Sequence, residues 1–222
     1  MNIVPIVLSA EGIVCVNSYL LYDEVSKEAM IIDPGAEADR IYRYLQEYSL
    51  TLKYIAITHG HFDHIMAVAE LKALTGALVC MCKEDEVCIR DSQWNAICMH
   101  HNHPPVNVFE IDRYIDDAAE IRMGSEGIRV LTIPGHTKGH VAFYVEGHLF
   151  CGDTILKGTV GLMGLPGSDA DVLKKSITGK IFSLPDETIL HCGHGEDSTV
   201  GYEKRNNNFV LSQNTPCQKP DD

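Results

Sequence analysis

The sequence predicts an α/β protein in which two β-sheets pack face to face with helices outside. Two observations lead there. Short apolar runs of strand length are interspersed with helix-spaced runs in both halves of the chain. There is also no internal repeat and no linker-like stretch, so residues 1–210 read as one domain and 211–222 as a tail expected to be disordered.

The elements follow in order. Strand-like runs occupy 2–9 and 13–22, on either side of a turn at Glu11-Gly12. Two more, at 28–32 and 52–57, end at "DPG" and at a histidine cluster. Between them "AEADRIYRYLQEYS" places Ile41, Leu45 and Tyr48 at helical spacing. After the cluster, Ile65, Val68, Ala69, Leu71 and Leu74 mark one helical face, closed by Gly76. "ALVCMC" reads as the next strand and "KEDEVCIRDS" as a short helix. Residues 93–110 have no clean period and read as a loop or lid, with Trp94 packed under it. Strands are expected at 112–115, 119–122, 127–133, 141–145 and 148–151. A helix at about 169–180, a strand at 188–191 and a helix at about 199–210 complete the chain.

Composition narrows the function. With 222 residues, 45% hydrophobic and 22% charged, the chain reads as an ordinary soluble globular protein. The formal net charge of −13, from 31 acidic and 18 basic residues without a basic cluster, argues against nucleic acid or an anionic membrane as partner. The apolar N-terminal run lacks a basic n-region and a cleavage site, and no stretch reaches the ~18 uncharged residues of a membrane span. A cytoplasmic location is therefore expected. The eight cysteines form no CxxC pair and read as reduced thiols, mostly small core residues.

The chemistry lies in four pieces. "THGHFDHIMAVAEL" (58–71) puts His59 and His61 two apart in an extended segment, so both reach one point. Its turn into a helix brings Asp63 and His64 round as a second donor group. The competing reading has Asp63 capping the helix beside solvated histidines. "TIPGHTKGH" (132–140) breaks a strand at Pro134-Gly135 and presents His136 at its end, while His140 is expected to be structural or to support a ligand. "FCGDTIL" ends a strand at Cys151 and places Asp153 after a glycine; "ILHCGHGED" does the same for His194, with His191 packed within the strand. Three histidines suit one metal, an aspartate and two histidines a second, and one carboxylate is left to bridge.

In that order, "THGHFDH", "GHTKGH", "GDT" and "CGHG", the chain resembles the metallo-β-lactamase superfamily. More narrowly it is similar to the glyoxalase II group, the hydroxyacylglutathione hydrolases, in their short bacterial form. The resemblance runs from about residue 12 to residue 209. It implies a four-layer αβ/βα sandwich with a dinuclear site at one edge of the sheets. By resemblance His59, His61 and His136 hold one metal, Asp63, His64 and His194 the other, and Asp153 bridges them. Two divalent ions are expected, zinc first, with iron or manganese as alternatives.

Two such cations ~3.5–4 Å apart share a water and lower its pKa, giving hydroxide to attack a polarised carbonyl. Asp63 and Asp153 are the catalytic carboxylates in this reading, Asp63 also helping with the proton of the water. The implied substrate is a small-molecule thioester of the S-acylglutathione type, with S-lactoylglutathione the reference. Two departures bear on it. "GDTILKGTVGLMGLPG" has Leu162 and Met163 where the group carries a charged glutathione-holding stretch. The sequence also stops near Val210 apart from its tail, so the group's C-terminal helical domain is expected to be missing. Lys138 and Lys157 could still meet an anionic substrate, although lone lysines are more often solvated. In the lid, His101 and His103 could in principle hold an extra metal; a solvated "HHNHPP" loop is the expectation.

Rivals on the same scaffold are an iron-dependent persulfide dioxygenase using His59, His136 and Asp153, and a lactonase. A β-lactamase is disfavoured by the bridging Asp153.

Overall fold

The computed structural model describes residues 1–10, 14–100 and 104–212. The turn at Glu11-Gly12, His101 and His103, and the tail from 213 onward lie outside the described residues.

Six strands form the first sheet in chain order: β1 (Asn2–Ala10), β2 (Val14–Tyr22), β3 (Glu28–Ile32), β4 (Thr51–Ala56), β5 (Leu78–Met81) and β6 (Arg113–Tyr114). β1, β2 and β3 pair antiparallel, whereas β3 to β6 run parallel. Parallel neighbours need crossovers, supplied by α1 (Ala38–Glu47) after β3 and by α2 (Phe62–Ile65) and α3 (Val68–Thr75) after β4. The second sheet has the order β12-β11-β10-β9-β8-β7. Its strands are β7 (Glu120–Met123), β8 (Glu126–Thr132), β9 (Val141–Val145), β10 (His148–Gly152), β11 (Ile189–Cys192) and β12 (Ser198–Thr199). The β9–β10 hairpin closes on Glu146 and Gly147, both at positive φ, the turn that matches strand twist. α4 (Ala170–Gly179) makes the parallel crossover from β10 to β11, and α5 (Val200–Asn206) and α6 (Asn208–Leu211) end the described chain.

Strand alternation sorts the side chains into layers. Tyr19, Leu21, Met30 and Ile32 point to the second sheet and meet Ile121, Val130, Phe143 and Phe150. Their neighbours Leu20, Ile31 and Ile55 point the other way, onto Ile41 and Leu45 of α1 and Val68 and Leu71 of α3. On the far side, Ala142, Leu149 and Leu190 meet Leu173 and Ile177 of α4 and Val200 of α5. The result is four layers, helix–sheet–sheet–helix. Central strands are thus buried on both faces, which is why "SYLLY" and "EAMII" read as continuous apolar runs. Each fully buried Leu, Ile or Phe contributes about 1.5–3 kcal/mol relative to exposure.

Several boundaries differ from the sequence reading. The helix expected after the histidines is two helices, because the Ala67 amide donates to Pro34 O, 3.0 Å away, in the loop after β3. Gly35 permits that approach, since a Cβ there would lie 1.6 Å from Asp63 O. "KEDEVCIRDS" forms a 3-10 helix over Lys83–Ile89, and the lid holds a 3-10 turn at Ile97–Met99. The final helix breaks at Asn207, whose side chain accepts the Val210 amide and starts α6. The two-residue β12 was too short to leave a period.

Candidate metal centre

Four strand ends converge at one edge of the two sheets. His59 and His61 follow β4, His136 follows β8, Asp153 follows β10 and His194 follows β11. Asp63 and His64 occupy the first turn of α2, whose four residues are all buried. Donor atoms gather within 4.8 Å of one another in His59/His61/His136 and in Asp63/His64/His194, and Asp33, His59 and His64 meet the same limit behind them.

In the first trio His61 Nδ1 lies 3.1 Å from His59 Nε2 and 3.0 Å from His136 Nε2. In the second, His194 Nε2 is 3.3 Å from His64 Nε2 and 3.2 Å from Asp63 Oδ2. Asp153 lies between them: its Oδ2 is 3.7 Å from His136 Nε2 and 3.5 Å from His194 Nε2, and its Oδ1 is 3.5 Å from His64 Nε2. Glycine makes this close packing feasible, since a Cβ on Gly193 would sit 2.3 Å from Asp153 Oδ1.

Hydrogen bonds on the far side of the rings fix which nitrogen faces inward. Thr58 Oγ1 donates to Asp33 Oδ2 at 2.6 Å, leaving its oxygen to accept from His59 Nδ1 at 3.0 Å. The same Asp33 Oδ2 accepts from His64 Nδ1 at 2.9 Å, and Asp33 Oδ1 accepts the Thr58 amide at 2.7 Å. His194 Nδ1 donates to Cys15 O at 2.7 Å. Asn17 of β2 holds the His194 loop through Cys192 O and Gly195 O. One buried carboxylate, Asp33, therefore orients a donor of each trio, directly in one and through Thr58 in the other.

Electrostatics divide the histidines in two. Burial, then neighbouring histidines, pushes His59 well below the usual imidazole range, and burial and His136 bring His61 down to about 3. Burial lowers His136 as well. Burial also acts against charge on His64 and His194, but the carboxylates of Asp63 and Asp153 outweigh it and raise both, His194 to about 11. Burial works to raise Asp63 and Asp153, and the cationic rings beside them hold both below the ordinary carboxylate range.

Such a donor set fits divalent ions. Neutral, buried imidazoles with inward lone pairs form one group, and a mixed carboxylate–imidazole group carries the anionic charge beside it. Asp153 Oδ1 is buried without a hydrogen-bond partner, an arrangement that costs free energy unless a cation shares it.

The centre opens into a cavity of about 290 Å³, whose wall includes Val14, Phe62, Met99, Leu156, Leu162 and Leu165. No lysine or arginine is among the described residues lining it. Lys138 Nζ sits over the Trp94 ring, 5.2 Å from its centroid, and Lys157 Nζ is held by Glu196 at 2.5 Å. Neither reaches this cavity. Trp94 packs against Gly167 and Lys138. His140 stacks on His59 and accepts the Asp153 amide at 3.2 Å; His191 stacks on Phe150 and donates to Asp197 at 2.7 Å. The seven described cysteines are free thiols, five of them buried. Thr58 opens the histidine motif but was given no role, and Asp33 and Asp85 left no motif-level signal; the hint for Asp33 was that "DPG" ends a strand at the same sheet edge as the histidines.

A family model described as the metallo-beta-lactamase superfamily matches residues 14–194. A protein of Haemophilus influenzae named hydroxyacylglutathione hydrolase GloC is 34% identical over 200 residues, 89% of this chain and 93% of that one. Among solved structures, that of BLEG-1 B3 metallo-beta-lactamase is similar with a TM-score of 0.87 and 31% identity, covering 95% of this chain and all (100%) of that one. That of TTHA1623 in a di-iron-bound form has a TM-score of 0.80 and 33% identity, covering 93% and 99%.

Proposed function

The chain belongs to the metallo-beta-lactamase superfamily, and on that premise we propose that it is a dinuclear metal-dependent hydrolase cleaving small thioesters of the S-acylglutathione type. The observation that carries this reading is the second donor group: Asp63, His64 and His194 converge beside the first trio, with Asp153 between them. A mononuclear persulfide dioxygenase needs only His59, His136 and Asp153, and leaves that second group without a task.

In this reading His59, His61 and His136 would hold one ion, Asp63, His64 and His194 the other, and Asp153 both. The bound ions supply a water of lowered pKa and polarisation of the carbonyl. Asp63 accepts a hydrogen bond from the attacking water, orients it and takes up its proton. Asp33 and Thr58 hold the outer nitrogens of His64 and His59 and so turn their Nε2 atoms toward the donor groups. Leu156, Leu162 and Leu165 line the cavity and would contact the acyl chain. A thiolate leaves without a strong general acid, so a thioester suits a site whose chemistry rests on an activated water. The hydrolase named hydroxyacylglutathione hydrolase at 34% identity supports the substrate class.

Selectivity follows from the wall. Leu162 and Met163 stand where a charged glutathione-holding stretch was expected, and the described lining offers no lysine or arginine to the carboxylates of glutathione. One missing charge-assisted hydrogen bond costs ~1.5–3 kcal/mol, or roughly ten- to a hundred-fold in affinity. The test is kcat/KM for S-lactoylglutathione against a cysteamine thioester, with a lactone, glutathione persulfide and a β-lactam in the same panel. Hydrolysis of both thioesters, with weak saturation by the glutathione ester, is expected. Turnover confined to the lactone, the β-lactam or, with oxygen uptake, the persulfide overturns the thioesterase reading.

A further inference from the structure

A buried carboxylate outside the donor set touches both loops of the first trio. Asp85 lies in the first turn of the 3-10 helix over Lys83–Ile89 and is 2% exposed. Its Oδ2 accepts the Gly60 amide at 3.1 Å and the Thr137 hydroxyl at 2.6 Å; its Oδ1 accepts the Gly139 amide at 2.7 Å. Gly60 separates His59 from His61, and Thr137 follows His136 directly. We propose that Asp85 is a positioning residue for metal binding: it clamps the His59–His61 loop to the His136 loop and so sets the spacing of the first trio.

The clamp works through neutral donors only. All three partners donate, so the ionised carboxylate is the form the cradle fits, although burial raises this group above the ordinary carboxylate range. The loops meet it through bare backbone: a Cβ on Gly139 would lie 2.7 Å from the Asp85 amide nitrogen, and one on Gly60 would lie 2.4 Å from Cys88 Cβ. The 3.0 Å separation of His61 Nδ1 from His136 Nε2 crosses between the two loops that the carboxylate joins. Metal sites need their donors held within about 0.5 Å, and losing an outer partner typically weakens binding 10- to 100-fold. Asp85 makes no hydrogen bond to the second group, whose His64 and His194 are oriented by Asp33 and Cys15 O. The effect of Asp85 is thereby confined to one ion.

This proposal rests on the dinuclear reading, and the experiment separates the two. The full metal-stripped chain is titrated with Co(II) and a competing chelator, reading both stepwise affinities and the visible d–d spectrum. His136→Ala and His194→Ala identify which step belongs to which group. Asp85→Asn puts an amide nitrogen or a single oxygen where three donors converge. It should weaken the His136-dependent step at least ten-fold and leave the other within about three-fold. Thr137→Val should weaken the same step by less, with Thr137→Ser restoring it; this pair serves even where the Asp85 variant does not fold. Unchanged affinities in both Asp85→Asn and Thr137→Val overturn the proposal, as does a parallel loss of both steps together with the thermal midpoint of the metal-free chain. A parent chain that takes up no ion at the first trio sinks the dinuclear reading and the proposal with it.

Discussion

Replacing Asp33 by Asn tests the hydrogen-bond scheme that serves both donor groups. The carboxylate accepts from the Thr58 amide at 2.7 Å, the Thr58 hydroxyl at 2.6 Å and His64 Nδ1 at 2.9 Å, all out of contact with bulk water. Asparagine keeps one acceptor, which can still serve the Thr58 amide, and turns an NH2 group toward the hydroxyl and the imidazole. Two charge-assisted bonds are lost, each worth ~1.5–3 kcal/mol, or ~3–6 kcal/mol together. In a chain of this length about 1 kcal/mol moves Tm by ~2–4 °C, so the metal-free protein should melt roughly 6–24 °C lower. Metal binding should weaken in both steps, since His64 loses its partner directly and His59 loses it through Thr58. Thr58→Val, the companion variant, removes only the His59 branch and should weaken one step, about ten- to a hundred-fold. The assays are calorimetric melting and stepwise metal titration of the three proteins. An Asp33→Asn chain that weakens one step only, or melts with the parent, would refute the shared-carboxylate scheme.

Three further outcomes are expected. Asp153→Ala should retain the fold and bind one ion where the parent binds two, checked by metal content per chain; two tightly held ions in the variant would remove Asp153 from the bridging role. Metal uptake should release protons at neutral pH, because His194, lifted to about 11 by Asp153 and Asp63 against the effect of burial, carries a proton in the metal-free chain. A proton and an ion compete for Nε2, so affinity falls as pH falls, and calorimetry in buffers of different ionisation enthalpy reads the count directly; zero release counts against it. Gly193→Ala places a methyl group 2.3 Å from Asp153 Oδ1 and 2.8 Å from His64 Cε1, so it should displace the carboxylate, costing ~1–3 kcal/mol and at least one ion equivalent. A variant with parental metal content would show that the loop yields without consequence.

The sequence by itself determined which residues offer donor atoms and in what order along the chain. "THGHFDH" is local, so the extended step from His59 to His61 and the turn into α2 follow from neighbouring residues alone. His136, Asp153 and His194 were legible for a related reason. Each sits just beyond an apolar strand after a breaking glycine, and strand ends at one sheet edge are where loops gather. Helix and strand identities came through because periodicity is also local, as in α1 with Ile41 and Leu45. Only the tertiary structure decided what holds those donors. Asp33 meets Thr58 across 25 residues, Asp85 meets Thr137 across 52, and His194 meets Cys15 across 179. A lone aspartate after a strand has no pattern to distinguish a surface turn from a buried clamp. Its role is set by which loops the parallel crossovers bring beside it. The same holds for Lys138 and Lys157, whose charge the sequence could offer to a substrate, but whose reach is fixed by Trp94 and Glu196. The break between α2 and α3 belongs here too. It arises because Pro34 O, brought close by β3 lying beside β4 and by Gly35, takes an amide that an uninterrupted helix would have kept.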